Sequence, residues 1–204
     1  MRLYYYYCRF GFSNCYILGN EEPGARDALI IDPGTMDKQI LDCIEKNDFI
    51  LKGVLITHDH LGHVRGLRTL KRIYDVELFA VNRFVLDQKT TPVKDGDHIT
   101  IGSFHVDVIS IPGHSSDSVV YKIGSLLFSG DVLTAGLVGQ TASTYGSTLQ
   151  VNNLRSRILS LPGDYTLLPG HGPPSSLEAE RHFNAGINQY DLNHNKRPTF
   201  RIGR

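Results

Sequence analysis

Residues 55–66 read LITHDHLGHVRG, with His58, His60 and His63 inside six positions. The run before them, KGVLIT at 52–57, has the apolar, β-branched composition of a buried strand. The run after them, LGHVRGLRTLKRIYD at 61–75, sets Leu67, Leu70 and Ile73 at helical spacing on one side. Three imidazoles therefore sit at a strand-to-helix junction, where loop side chains are free to converge. Upstream, ALIIDPG at 28–34 reads as a strand stopped by Pro33-Gly34. MDKQILDCIEKN at 36–47 spaces Met36, Ile40, Leu41 and Ile44 as one helix face. With earlier strands over 3–10 and 15–18, the first half becomes a β-α-β-α alternation.

The second half repeats short strands between glycine turns: HITIG, FHVDVISIP, SVVYKI and SLLFSGD. VNNLRSRILSL at 151–161 predicts a helix and YTLLPG a strand. SSLEAERHFNAGINQY at 175–190 predicts a closing helix begun by Ser175-Ser176 with Glu178 nearby. Mixed sheets covered by helices follow from this order. No compositional break marks a second domain, so one domain over 1–204 is expected, with a polar, basic tail at about 193–204.

Three more polar residues share the setting of the histidine cluster, at an apolar strand end beside glycine. They are His114 in SIPGHSSDS, Asp131 in LLFSGDVL and His171 in LLPGHGPP. Neutral imidazole suits zinc and iron, while a carboxylate anchors the cation and takes up protons. His58 and His60 flank one loop residue and can face a single ion. The combination predicts a metal site.

The order THxHxxH, PGH, SGD, GHG resembles the metallo-β-lactamase superfamily, and within it the glyoxalase II branch, over nearly the whole chain. The resemblance implies an α/β fold, a four-layered αββα sandwich of two mixed sheets with the metal site at one edge. It assigns His58, His60, His114 and Asp131 to a first metal. His63, His171 and the bridging Asp131 go to a second. By the same resemblance the cofactor is zinc, one or two ions, with iron or manganese as alternatives.

The chain departs from that pattern at one ligand. Where the family has aspartate in THxHxDH, this chain has Gly62. Losing a carboxylate beside a dication weakens the second site, so a mononuclear centre is expected. Asp59 lies between two histidines that point at the metal, so its side chain should point elsewhere. Proton handling then falls to Asp131, His63 or His171. Asp32 in IIDPG has two readings, an acceptor behind the ligand shell and a plain Asp-Pro-Gly turn. Ser115, Ser116 and Ser118 should turn the chain rather than act as nucleophiles. The stretch 137–150, LVGQTASTYGSTLQ, falls where relatives carry a substrate loop with a glycine-arginine pair. Here Gly139-Gln140 offers no arginine, and Tyr145 and Ser147 are candidates to line the pocket.

Composition narrows the partners. Lys+Arg equals Asp+Glu at 21 each, so nothing points to nucleic acid. No run approaches about 18 apolar residues, which disfavours a membrane span. Three cysteines without metal or redox spacing fit reduced thiols in a cytoplasmic protein. A small-molecule substrate is left. The leading expectation is a hydrolase using metal-activated water on a thioester, ester or lactone. A mononuclear iron persulfide dioxygenase and a degenerate, non-catalytic metal-binding module are the alternatives.

Overall fold

The computed structural model describes residues 1–22 and 24–188, so the basic tail expected at 193–204 lies outside the described residues. The first sheet runs β1 (Arg2–Tyr7), β2 (Asn14–Gly19), β3 (Asp27–Ile31), β4 (Ile50–Leu55), β5 (Glu77–Ala80) and, beyond a small hairpin of β6 (Phe84–Val85) and β7 (Gln88–Lys89), β8 (Thr91–Pro92). The β1–β2 and β2–β3 pairs are antiparallel; β3–β4, β4–β5 and β5–β8 are parallel. The second sheet contains β9 (His98–Ile101), β10 (Phe104–Ser110), β11 (Val119–Ile123) and β12 (Leu126–Gly130). The hairpin β13 (Leu133–Thr134) and β14 (Leu137–Val138) follows, then β15 (Thr166–Pro169) and β16 (Ser175–Ser176) complete the sheet in the order β16-β15-β12-β11-β10-β9. Its one parallel pair, β12–β15, brings the carboxyl ends of two strands side by side.

Strand alternation creates the layers. In β2, Cys15 and Ile17 face helices, whereas Tyr16 and Leu18 face the other sheet; in β3, Ala28 and Ile30 oppose Leu29 and Ile31 in the same way. The second sheet mirrors this, with Tyr121, Phe128 and Leu168 inward and Val120, Leu127 and Leu167 outward. Three apolar cores result: helices on sheet one, sheet on sheet, and helices on sheet two. This is the αββα sandwich expected from sequence.

Helices α1 (Lys38–Lys46), α2 (Leu61–Val64) and α3 (Leu67–Ile73) cover the first sheet. Asp37 caps α1 by accepting from the Gln39 and Ile40 amides, and Ile40, Cys43 and Ile44 turn inward. The single helix expected over 61–75 is divided at Arg65-Gly66. The Gly66 amide donates to the Pro33 carbonyl, and any Cβ there would lie 2.4 Å from that oxygen. Within α3 itself Leu67 and Leu70 are buried, while Ile73, its last residue, is exposed, against expectation.

On the second sheet, α4 (Thr144–Asn153) begins seven residues before the helix expected at 151 and continues into a π-helical turn, Leu154–Ile158. Ser143 caps it by accepting from the Gly146 amide. α5 (Leu177–Phe183) is capped by Ser176, whose hydroxyl accepts from the Ala179 amide, and is interrupted at Asn184; residues 185–188 are helical again, and 189–190 lie outside the described residues. Buried Glu180 on α5 accepts from the Gly136 amide, Ser175 and Asn184, tying this helix to the β13–β14 hairpin. Among the described residues, no helix is long and apolar enough to cross a membrane.

Candidate metal centre

The two face-packed β-sheets each carry three side chains at one end of their strands. β4 of the first sheet leads into the loop of His58 and His60 and the short helix of His63. In the second sheet β10, β12 and β15 lead to His114, Asp131 and His171. His58, His60 and His114 bring their ligand atoms within 4.8 Å of one another, as do His63, Asp131 and His171. One atom links the two groups. Asp131 Oδ2 stands 3.8 Å from His58 Nε2, 3.5 Å from His63 Nε2 and 3.7 Å from His114 Nε2. Two ligands at about 2.1 Å from a tetrahedral cation lie roughly 3.4 Å apart, so these spacings suit a shared ion better than direct hydrogen bonds.

The groups behind the histidines decide which ring nitrogen faces the cluster. Asp32 is the hub, in the left-handed region at φ 49°, a conformation that costs a non-glycine residue about 1–3 kcal/mol and needs support from its surroundings. Its Oδ1 accepts from the Thr57 amide (2.8 Å), and its Oδ2 accepts from the Thr57 hydroxyl (2.6 Å) and from His63 Nδ1 (3.1 Å). Because that hydroxyl donates to Asp32, it accepts from His58 Nδ1 at 3.1 Å. Both rings are thereby fixed with Nε2 inward. Both of these Nε2 atoms are buried and, among the described residues, without a hydrogen-bond partner.

His114 is fixed in the same sense by donating from Nδ1 to the Gln140 carbonyl (2.7 Å), with its Nε2 3.0 Å from His60 Nδ1. Of the two readings of Asp32, the acceptor behind the ligand shell is realised by its side chain, and the turn by the Gly34 amide donating to its carbonyl.

Charge follows these contacts. Burial pushes His58 down to about 3, so it is a neutral ligand at every physiological pH. Burial also lowers His63, but the carboxylates of Asp131 and Asp32 outweigh it and push His63 up to about 10. His171 is raised mainly by its 2.8 Å contact with Asp131. Burial raises Asp131, but its bond with His171 and the nearby His63 and His58 imidazoles outweigh that and hold it well below the usual carboxylate range.

Gly62 lies in α2 against the β1–β2 loop. Its carbonyl accepts from the Ser13 hydroxyl at 2.6 Å, the Gly11 carbonyl accepts from His171 Nε2 at 2.8 Å, and the Arg65 guanidinium sits 3.7 Å over the Phe10 ring. The loop is fastened over the side where the absent carboxylate would reach. Asp59 points away, as expected, accepting from Asn82 at 2.9 Å while its amide donates to Asp117. Ser115 and Ser118 tie the turn after His114 by a 2.6 Å hydroxyl pair, also as expected. Tyr145 and Ser147 fall on α4, not on the walls of the cavity beside the cluster, and Tyr145 is exposed. That cavity, about 380 Å³, is lined by His114, Asp131 and His171 on one side and by Leu137, Val138 and Gln140 on the other.

Sequence reasoning missed Thr57, Gly11 and the Gln140 carbonyl. Only Thr57, adjacent to His58, carried a signal, since a hydroxyl there can hand a carboxylate's influence to the next ring.

The histidine and aspartate cage lies between the two sheets of an αββα sandwich, and the chain is similar to metallo-hydrolases. Residues 8–85 match the family model described as the metallo-beta-lactamase superfamily. The chain is similar to hydroxyacylglutathione hydrolase GloC of Haemophilus influenzae, 28% identical over 200 residues, covering 86% of this chain and 92% of that protein. Among solved structures it resembles ETHE1 from Myxococcus xanthus (TM-score 0.81, 22% identity, 97% of this chain and 92% of that one). It also resembles TTHA1623 in a di-iron-bound form (TM-score 0.74, 25% identity, 89% of this chain and 98% of that one).

Proposed function

We propose that this chain is a glyoxalase II-like hydrolase of small-molecule thioesters, esters or lactones, working with zinc held by His58, His60, His114 and Asp131. The observation that carries the reading is the pair of buried, unpartnered Nε2 atoms on His58 and His63, aimed at a carboxylate too distant to satisfy them. Leaving such atoms desolvated and unpaired costs about 1–3 kcal/mol each. A bound divalent cation supplies Lewis-acid polarisation of a carbonyl and a lowered pKa for water.

The chain's own residues do the rest. Asp32 and Thr57 hold the rings in the ligating tautomer, and Asp131, hydrogen-bonded to His171 and 3.5 Å from His63, joins those two as the groups that take up and return a proton. His63, Asp131 and His171 make a weaker second position, because Gly62 leaves it one carboxylate short. Leu137 and Val138 give the cavity an apolar wall. The free thiols of Cys8, Cys15 and Cys43 support a cytoplasmic setting.

The test is metal analysis of protein purified without added metal, followed by hydrolysis of a thioester panel before and after chelation. Zinc at about one ion per chain, with activity lost on chelation and restored by zinc, is expected. Hydrolysis that survives complete metal removal would overturn the reading. A second reading, oxidation of a persulfide at one iron, is favoured by the missing carboxylate at Gly62. Iron in the purified protein with persulfide-dependent oxygen uptake would select it.

A further inference from the structure

We propose that Gln150 is a positioning residue of the metal centre: one buried amide braces the chain segments that carry His114 and Asp131. The inference rests on the metal reading above.

Gln150 is on α4, fully buried, and its Nε2 donates to the Val132 carbonyl (3.1 Å) and the Gly139 carbonyl (3.0 Å). Val132 follows Asp131. Gly139 precedes Gln140, whose carbonyl accepts from His114 Nδ1. Gly139 also packs so tightly on the Asp131 main chain that a Cβ there would lie 1.7 Å from the Asp131 carbonyl oxygen. On its other side Gln150 meets Gly113, immediately before His114. A Cβ on Gly113 would stand 2.4 Å from Gln150 Cβ, 2.7 Å from the Gly146 carbonyl and 2.8 Å from Gln150 Oε1. Gly146 and Gln150, one helical turn apart on the same face, thus form the seat for Gly113.

A single side chain therefore touches both flanks of the His114 ring's support, the backbone that carries it and the strip that supplies its acceptor, together with the residue after Asp131. Its Oε1 is buried without a partner among the described residues, a burden that leucine or methionine in the same space would not carry. The two N–H bonds are the feature that an apolar residue could not supply. The groups that orient a metal ligand from behind tune affinity through ring orientation, typically by 10–100-fold.

The test compares the full-length wild type with Gln150→Met, which keeps the unbranched shape, and Gln150→Leu. Two readouts are used. The first is competition for zinc against a chromophoric chelator. The second is the His114 Nδ1–H resonance in the metal-free, ¹⁵N-histidine-labelled protein, which a merely structural role would leave in place. We expect folded variants whose first-site zinc affinity falls 10–100-fold and whose His114 Nδ1–H signal is lost to exchange with water. Variants with wild-type affinity and an intact signal would overturn the proposal. So would two variants that both fail to fold, since Gln150 would then serve the core rather than the site. A wild-type protein that holds no zinc would instead overturn the metal reading itself.

Discussion

Gly62→Asp should convert a weak second metal position into a firm one. The backbone accepts the change, because Gly62 is helical and absent from the left-handed positions, and glycine is the poorer helix former by a few tenths of a kcal/mol. Space accepts it too. A Cβ at 62 meets the Gly11 Cα at 3.5 Å, its carbonyl oxygen at 3.8 Å and its carbonyl carbon at 4.0 Å, all ordinary contacts. Electrostatics provides the gain. Two unit charges about 4 Å apart attract by roughly 4 kcal/mol at an effective dielectric of 20, and a dication doubles that before the carboxylate's desolvation is subtracted. A net gain of about 3 kcal/mol is a reasonable remainder, equivalent to roughly a hundredfold tighter binding.

Without metal the new carboxylate joins Asp131 and Asp32, so the metal-free variant should melt below the wild type while the zinc-loaded variant melts above it. The assay is zinc stoichiometry by elemental analysis, with chelator titration to rank the two sites. A folded Gly62→Asp protein that still holds one ion, with the second site no tighter, would refute the argument. The fastened β1–β2 loop, rather than the missing ligand, would then be what closes the position.

His114→Ala should strip the first ion and abolish hydrolysis, whereas His171→Ala should leave that ion bound; equal metal loss in both would show that the two groups are one site. Asp59→Ala should change zinc affinity less than twofold, because its carboxylate is engaged by Asn82, and isothermal titration measures this directly. Glu180→Ala should destabilise the fold by about 2–3 kcal/mol in denaturant unfolding, since three buried or half-buried donors lose a charged acceptor. The metal-free protein should lose stability as pH rises from about 6.5 towards 10. His63 is raised in the folded state, so its contribution is complete below the unfolded imidazole value of about 6.5 and disappears through the folded one. On the acid side, neutral buried His58 opposes folding as pH falls from about 6.5 towards 3, placing the metal-free optimum near 6.5. Thermal melts across pH 4–10 would reveal a different optimum if these histidines do not dominate.

The layers and the six cage residues were legible because both depend on local signals, an apolar period of two and polar residues beside glycine at strand ends. The helix break at Gly66 had a signal in the glycine itself, but its cause, the Pro33 carbonyl, is a tertiary contact. The start of α4 was hidden by poor helix formers. Thr144, Gly146 and Ser147 read as a loop, and only the Ser143 cap and packing of Gln150 and Val151 make them helical. The Gly11 carbonyl against His171 spans 160 positions and is made by backbone, so no residue type announces it. Gln150 is silent for the same reason, a glutamine in a polar stretch whose partners are main-chain carbonyls.

The division of the cage between the sheets makes it a clasp. His58, His60 and His63 belong to one half of the chain, His114, Asp131 and His171 to the other. Neither half alone can grip an ion as the whole does, so a cation that prefers the closed seam stabilises the union of the sheets by RT ln(1 + [L]/Kd). Asn14 and Tyr16 of β2 lie against that seam from behind, both donating to the Pro169 carbonyl just before His171. Metal loss should therefore loosen the sheets first at the strand ends that the clasp would join, while the apolar core between them, with Tyr16 edge-on to Phe128, keeps the layers together.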